Sequence, residues 1–145
     1  MGENRFLKIP RVGVWPLSHG KRQENSMNKE IDLKKRTQAF ALRVIRLCES
    51  LGPTTTEKVI AKQLLRCGTA VGANYRAACR SRSTAEFVAK LGVVEEECDE
   101  SQYWMELLIE AKFMESVRLD PLMNEAEELL SIIIASIKTA RKNNV

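Results

Sequence analysis

The chain has 145 residues and a formal net charge of +4 at pH 7, with 44% hydrophobic and 6% aromatic residues. This length fits one domain, and the scarcity of aromatic residues, Gly and Pro is typical of long helices and argues against an all-β fold. No stretch reaches the ~18 uncharged apolar residues of a membrane span and no signal-peptide pattern opens the chain, so we expect a cytoplasmic protein without membrane contact.

The amino-terminal residues 1–28 mix prolines, glycines and scattered charges without a sustained period. We therefore predict a flexible arm there, followed by the folded domain at residues 29–145. Met27 opens the polar run before the first helical pattern, which leads to the hypothesis that translation normally starts at Met27. The single histidine, His19, lies in this arm and cannot anchor a preorganised catalytic site.

The first two helices are indicated by apolar residues that recur at intervals of three and four. Helix 1 is predicted over residues 31–51, and the breakers Gly52 and Pro53 end it. Residues 54–57, Thr-Thr-Thr-Glu, have the form of a capping box, in which a hydroxyl and a carboxylate pair with free amides of a helix start. Helix 2 is predicted from this box to Cys79 or Arg80.

Helices 3 and 4 follow from the same patterns. Residues 83–86, Ser-Thr-Ala-Glu, form a second capping-box sequence, and helix 3 is predicted over residues 84–114, which is on the order of 45 Å. Residues 119–121, Leu-Asp-Pro, predict the last turn, with Pro121 at the first position of helix 4 and the helix continuing to about residue 141. Four amphipathic helices with short connections predict an all-α, antiparallel up-down-up-down four-helix bundle.

Helix 2 carries its charged and apolar residues on opposite faces. Five basic residues fall within a sector of about 80°, and we call them the basic stripe: Lys58, Lys62, Arg66, Arg76 and Arg80. The opposite face is apolar and is predicted to be the core face, with Ile60, Leu64, Gly68, Val71, Tyr75 and Ala78. Gly68 and Gly72 lower helix propensity, so they predict close approach of another helix. The basic stripe is thus expected to face solvent over about 33 Å.

Charge is segregated along the sequence. Residues 34–82 hold eleven Lys and Arg against two Glu, whereas residues 86–115 hold nine Asp and Glu against two Lys. One interpretation is a solvated surface on which neighbouring helices attract each other. A second is that the basic stripe neutralises nucleic-acid phosphates with little sequence preference. A third is that a basic face of one protomer meets an acidic face of the next and steers assembly into a ring.

No catalytic, metal or cofactor site is predicted. The five carboxylates within residues 95–100 are interpreted as a solvated acidic face, since a di-metal bundle site uses Glu-x-x-His pairs. Ser81 and Ser83 lie in a turn without a base, and no phosphate-binding glycine loop is present. We interpret Tyr103 and Trp104 as one core residue and one interface residue. The four cysteines match no zinc spacing and are predicted to be free buried thiols: Cys48, Cys67, Cys79 and Cys98.

Residues 64–111 resemble the four-helix-bundle proteins encoded in intervening sequences of bacterial 23S ribosomal RNA genes. The resemblance rests on Asn74 after a small-residue helix, the Arg-Ser pair at residues 82–83, and Glu86-Phe87. Helices 1 and 4 match in length and pattern, which extends the resemblance to residues 31–141.

The resemblance implies a bundle that assembles into a pentameric ring without an established enzymatic activity. The family is also similar to accessory proteins of diversity-generating retroelements, whose basic surface binds nucleic acid and a reverse transcriptase. RNA, DNA and, in a retroelement setting, a reverse transcriptase are therefore the partners that the resemblance implies.

These observations lead to one hypothesis and one alternative. The hypothesis is a non-enzymatic oligomeric bundle that binds structured RNA or DNA with low sequence specificity. The residues expected to contact nucleic acid are Lys58, Lys62, Arg66, Arg76 and Arg80, with Arg43, Arg46 and Arg82. The alternative is a protein-interaction scaffold, in which the basic stripe is buried against an acidic face of a neighbour and no nucleic acid is bound.

Overall fold

Four helices make up the part of the chain that the structure describes. The structure is a computed structural model, and it describes the backbone of residues 21–144 and the side chains of residues 32–144. The helices are α1 (Lys21–Ser50), α2 (Thr55–Ala78), α3 (Thr84–Glu110) and α4 (Ser116–Lys142), and no strand occurs within residues 21–144. The all-α prediction is confirmed.

The start of α1 differs from the prediction. It begins at Lys21, ten residues before the predicted start at residue 31. Residues 21–30 are mostly polar in sequence, and the apolar period that predicted the helix begins only after them. Residues 1–20 of the predicted flexible arm and His19 lie outside the described residues, and the arm and the start of translation at Met27 stay predictions.

The predicted capping box at the start of α2 is confirmed. The hydroxyl of Thr54 accepts a hydrogen bond from the Glu57 amide at 3.2 Å, and the Glu57 carboxylate accepts the Thr54 amide at 3.3 Å. The same carboxylate also accepts the amide of Gly52 at 2.9 Å and the Thr54 hydroxyl at 2.6 Å. Glu57 therefore joins the end of the α1–α2 connection to the first turn of α2 and satisfies amides that a helix start leaves free.

The second capping box forms only in part. The Ser83 hydroxyl accepts the Glu86 amide at 3.1 Å, as predicted. The Glu86 carboxylate, however, accepts the amide of Arg82 at 2.7 Å rather than that of Ser83, and it pairs with Lys90 at 2.7 Å. The Glu86 carboxylate thus bonds to the amide of the residue before the cap residue Ser83. It also contacts the Lys90 ammonium group, one helical turn later in α3.

The connection between α3 and α4 corrects two predicted boundaries. Helix α3 ends at Glu110 rather than at residue 114, and Lys112 has a left-handed backbone with φ 61°. The Phe113 amide donates to the Leu108 carbonyl and the Lys112 amide to the Ile109 carbonyl, both at 2.9 Å. This is the Schellman arrangement, with Lys112 where glycine is most common.

Helix α4 begins at Ser116, so Pro121 is inside it and not at its first position. A proline in a helix removes the amide that would bond to the carbonyl four residues earlier, here that of Val117. The Val117 side chain is 69% exposed, so solvent reaches this part of the helix. The predicted turn at residues 119–121 is therefore wrong. A proline in an exposed early turn of a helix costs less free energy than one in a packed helix interior, so α4 can continue through Pro121.

Each helix packs against its neighbours in the order α1, α2, α3, α4 and back to α1, and within the described residues the backbones of the diagonal pairs do not come close to each other. Along α1, Thr37 lies near Gly72, Val44 near Gly68, and Cys48 near Ala61, so the two helices run in opposite directions. The core between the helices is apolar, and its largest fully buried side chains include Phe40, Leu64, Tyr75, Leu91, Met105 and Leu129. The close approach predicted from Gly68 and Gly72 is confirmed as the α1–α2 seam.

None of the four cysteines forms a disulfide. Cys67 and Cys98 are buried, whereas Cys48 and Cys79 are partly buried. Burial raises the pKa of Cys98 to about 12 and that of Cys48 to about 11. Thiols with such pKa values stay protonated at neutral pH and are poor nucleophiles.

Candidate nucleic-acid interface

The basic stripe lies on the solvent side of α2. Its five members are all exposed, while the predicted core face is buried throughout. The helical period fixes this arrangement, because core and stripe residues project in opposite directions from one helix. The outward direction that the sequence predicted for the stripe is therefore correct.

Arg66 is the member of the stripe that is engaged within the chain. Its guanidinium pairs with Glu97 at 3.3 Å and with Glu100, both on α3. Hydrogen bonding from Arg66, and then from the Trp104 indole at 3.1 Å, lowers the pKa of Glu100. Arg66 is 49% exposed on its side chain, so the pair is screened by water and contributes little stability. Its effect is to remove one free positive charge from the middle of the stripe.

The other stripe residues remain without an ion pair inside the described part of the chain. Lys58 and Lys62 lie in the first half of α2, and we call them the amino-terminal cluster. Arg76 and Arg80 lie at its end, and together with the exposed loop residue Arg82 they form the carboxy-terminal cluster. Five exposed cations thus lie near the two ends of α2, with Arg80 and Arg82 in the turn that follows the helix end at Ala78.

Arg43 and Arg46 do not join these clusters. Both are on α1, where Val44 faces α2 and Arg36 faces α4. Arg43 follows Arg36 by two helical turns, so it lies on the α4 side of α1 and is partly buried. Arg46 is exposed on the outer side of α1. Of the eight predicted contact residues, six therefore lie along α2 and its end, and two lie on a separate face.

A second ion-pair network was missed at the sequence level. Arg36 of α1 binds Glu125 of α4 through two hydrogen bonds at 3.0 and 2.9 Å, and Glu128 at 2.7 Å. Because its guanidinium donates hydrogen bonds to Glu125, the pKa of Arg36 is raised above its usual value. No local pattern could have indicated this pairing, because it depends on the register of two helices at opposite ends of the sequence. The Arg66 network joins the basic α2 to the acidic α3, which agrees with the attraction between neighbouring helices inferred from charge segregation. Helix α4 holds four basic and four acidic residues, so the Arg36 network depends on local pairing and not on a net charge of α4.

Several described side chains of the types used in catalysis are engaged elsewhere and do not form a cluster. Within the described residues, no group of His, Cys, Asp and Glu is arranged to hold a metal ion. Ser83 is committed to capping α3, and Glu97 and Glu100 are committed to Arg66. None of the helices within residues 21–144 is both long and apolar enough to cross a membrane.

Tyr103 and Trp104 differ in burial, as their adjacent positions on a helix predict. Trp104 is partly buried and packs against the core, whereas Tyr103 is 51% exposed. Their rings meet edge to face with centroids 5.2 Å apart. Both are on α3 and stand apart from the two basic clusters.

Comparison with known proteins supports the fold and a family. The sequence profile of the 23S rRNA-intervening sequence protein family matches residues 29–135. The crystal structure of a protein with unknown function from the S23 ribosomal protein family of Bacteroides thetaiotaomicron is similar, with a TM-score of 0.69 and 35% sequence identity. That similarity covers 73% of this chain and 95% of the other. No curated protein matches the sequence.

Proposed function

Because the chain belongs to the family of 23S rRNA-intervening sequence proteins, we propose that it is a non-enzymatic helical bundle that binds RNA or DNA. Binding takes place through the amino-terminal and carboxy-terminal clusters at the two ends of α2, with low sequence specificity. The bundle is a homo-oligomer in the cell, as the family resemblance implies, and each protomer presents one such face.

The observation that carries this proposal is the set of exposed cations at the two ends of α2 that have no ion pair with any other described side chain. Lys and Arg side chains that neutralise phosphates release condensed counterions, and this supplies most of the affinity of sequence-independent binding. The net charge of +4 is modest, but the acidic residues of α3 neutralise Arg66 and leave the clusters free. Local charge rather than net charge therefore provides the attraction.

The proposal is tested by fluorescence anisotropy with a labelled RNA hairpin and a labelled DNA hairpin at about 50 and 200 mM salt. We expect binding that weakens steeply with salt and differs little between sequences. The double variant Lys62→Glu/Arg76→Glu should abolish it. The matched control is Arg118→Glu/Lys138→Glu, which makes the same charge change at exposed positions on α4. Absence of salt-sensitive binding by the unsubstituted protein would contradict the proposal.

The alternative is a scaffold that binds protein partners, and exposed apolar side chains support it. Five aliphatic residues are each between 38% and 69% exposed: Leu42, Val59, Leu65, Val93 and Val117. In this alternative, neighbouring protomers of a ring, or a reverse transcriptase in a retroelement setting, cover these side chains and the basic stripe together. Light scattering distinguishes the two functions: Lys62→Glu/Arg76→Glu should leave the oligomer mass unchanged if the stripe binds nucleic acid, and should reduce it if the stripe is an interface.

A further inference from the structure

The free charges of the basic stripe are divided into two groups. The shortest gap between the two clusters is from Lys62 to Arg76. These residues are fourteen positions apart in α2, which is about 21 Å at 1.5 Å per residue. Arg66 lies between them but is held by Glu97 and Glu100. The stripe is thus an interrupted surface with positive charge at both ends.

The middle of the stripe offers a ligand few polar groups. Thr69 lies two turns from both Lys62 and Arg76, on the same face of α2. Its hydroxyl is bound to carbonyls of its own helix, Leu65 at 2.7 Å and Arg66 at 3.2 Å. Ala73, on the same face and exposed, has no polar side-chain atom. Glu97 and Glu100 add negative charge beside this section.

A single strand laid along α2 would fit this surface poorly. Its phosphates would pass the carboxylates of Glu97 and Glu100 at the middle of the path. Proteins that bind single strands also stack bases on aromatic side chains, and the stripe has none. Among the described side chains the most exposed aromatic residue is Tyr103, which belongs to α3.

We propose that the ligand is a double helix of RNA or DNA, with each of its two phosphate strands contacting one cluster. This inference rests on the proposed function. The major groove of B-form DNA is about 12 Å wide, and long, flexible Lys and Arg side chains about 21 Å apart on the helix axis reach the phosphates on both sides of it. In A-form RNA the wide, shallow minor groove offers the same contact.

The uncharged middle section then lies over the groove. The Thr69 hydroxyl donates to carbonyls of its own helix and Ala73 has no polar side-chain atom, so neither residue offers a hydrogen-bond donor to the base edges. Thr69 and Ala73, which lie between the two clusters, therefore also explain why binding has low sequence specificity.

The experiment compares one labelled duplex RNA, the corresponding duplex DNA, and each of their unstructured strands alone, at about 50 mM salt. We expect the full chain to bind at least one duplex on the order of tenfold more tightly than its strands. Equal or tighter binding of the strands would overturn the inference and leave the proposed function standing. If no probe binds, the proposed function fails and this inference fails with it.

Variants of the two clusters test the contact with both strands. Lys58→Ala/Lys62→Ala and Arg76→Ala/Arg80→Ala should each reduce duplex affinity on the order of tenfold and lower the slope of log K against log salt by about 1.8, at about 0.9 for each lost phosphate contact. Each should also reduce the preference for duplex over strand. The matched control, Arg118→Ala/Lys138→Ala, removes two exposed charges from α4. If the preference for duplex over single strand stayed the same in both cluster variants, the proposed contact of each phosphate strand with one cluster would be overturned.

Discussion

Gly68 of α2 lies so close to Val44 of α1 that a Cβ atom on Gly68 would stand 2.7 Å from one Val44 methyl group and 2.8 Å from the other. Valine is branched at Cβ and stiff at χ1, so both methyl groups cannot turn away. The Val44 Cβ atom would itself be only 3.1 Å distant. The α1–α2 seam, which positions the basic stripe on the opposite side of α2, therefore depends on a position without a side chain.

We expect Gly68→Ala to destabilise the protein by about 1 kcal/mol, because overpacking at about 1–3 kcal/mol exceeds the gain in helix propensity of about 1 kcal/mol. Urea unfolding followed by circular dichroism measures the change. The matched control is Gly92→Ala on α3, where an added Cβ would meet nothing within 4 Å. That variant should gain about 1 kcal/mol. Equal gains in both variants would show that the seam relaxes freely.

The Schellman turn after α3 offers a stabilising substitution. Lys112 has φ 61°, a conformation that costs a residue with a Cβ atom roughly 1–2 kcal/mol and costs glycine little. Lys112→Gly should therefore raise the free energy of unfolding by about 1 kcal/mol. The midpoint of urea unfolding measures it, and Lys112→Ala, which keeps the Cβ atom, is the control. A loss of stability on Lys112→Gly would mean that the turn is not strained.

Features encoded by local sequence were predictable. The bounds and core face of α2 follow from its apolar period, and its start follows from Thr54 and Glu57, which interact within one helical turn. The same holds for the exposure of the basic stripe, because a single helix determines it. The glycines indicated a close approach without identifying Val44 as the contact.

Features that depend on packing between distant segments were not predictable. The neutralisation of Arg66 by Glu97 and Glu100 depends on the register of α2 against α3. In the same way, the pairing of Arg36 with Glu125 depends on the register of α1 against α4. The start of α4 at Ser116 was also not predicted, because Pro121 is a strong local signal for a helix start. Exposure of this part of the helix lowers the free-energy cost of a proline inside it. The sequence thus located the candidate interface but not its division into two clusters.

The capping carboxylate of Glu57 should make stability depend on pH. The hydroxyl of Thr54, with the amides of Gly52 and Thr54, lowers the pKa of Glu57 below its usual value of 4.5. A carboxyl with a lower pKa in the folded state stabilises the protein above its unfolded pKa, and this contribution is lost as the pH falls through the folded pKa. Glu57→Gln should therefore lower the urea midpoint at neutral pH, by an amount that shrinks on acidification.

The control for this dependence is Glu110→Gln. Glu110 is exposed and has no ion pair in the described part of the chain, so its substitution should shift the midpoint little at any pH. If Glu57→Gln and the unsubstituted protein differed by the same amount at pH 7 and at acid pH, the role of the ionised carboxylate would be disproved. The hydrogen-bonding shape of the side chain would then explain the whole effect.

The pairing of Arg66 with α3 predicts a variant that binds nucleic acid more tightly. Glu97→Gln/Glu100→Gln removes both carboxylates that hold the guanidinium. Arg66 lies one helical turn from Lys62, so it becomes free to contact the phosphate strand at the amino-terminal cluster. We expect duplex RNA affinity to rise severalfold and the slope of log K against log salt to rise by about 0.9 for the added contact. Affinity for single strands should rise more, because the negative charge that interrupts their path is gone.

A general increase in positive charge also strengthens binding, so the control must change charge equally. Glu106→Gln/Glu110→Gln does so at exposed positions of α3 outside the Arg66 network. Since screening limits exposed charges to a range of about 10 Å, this control should raise affinity much less than Glu97→Gln/Glu100→Gln. Adding Arg66→Ala to the tighter variant should remove the extra salt dependence. Equal effects of the two double variants would show that Arg66 stays bound to the bundle and that the stripe acts only through its ends.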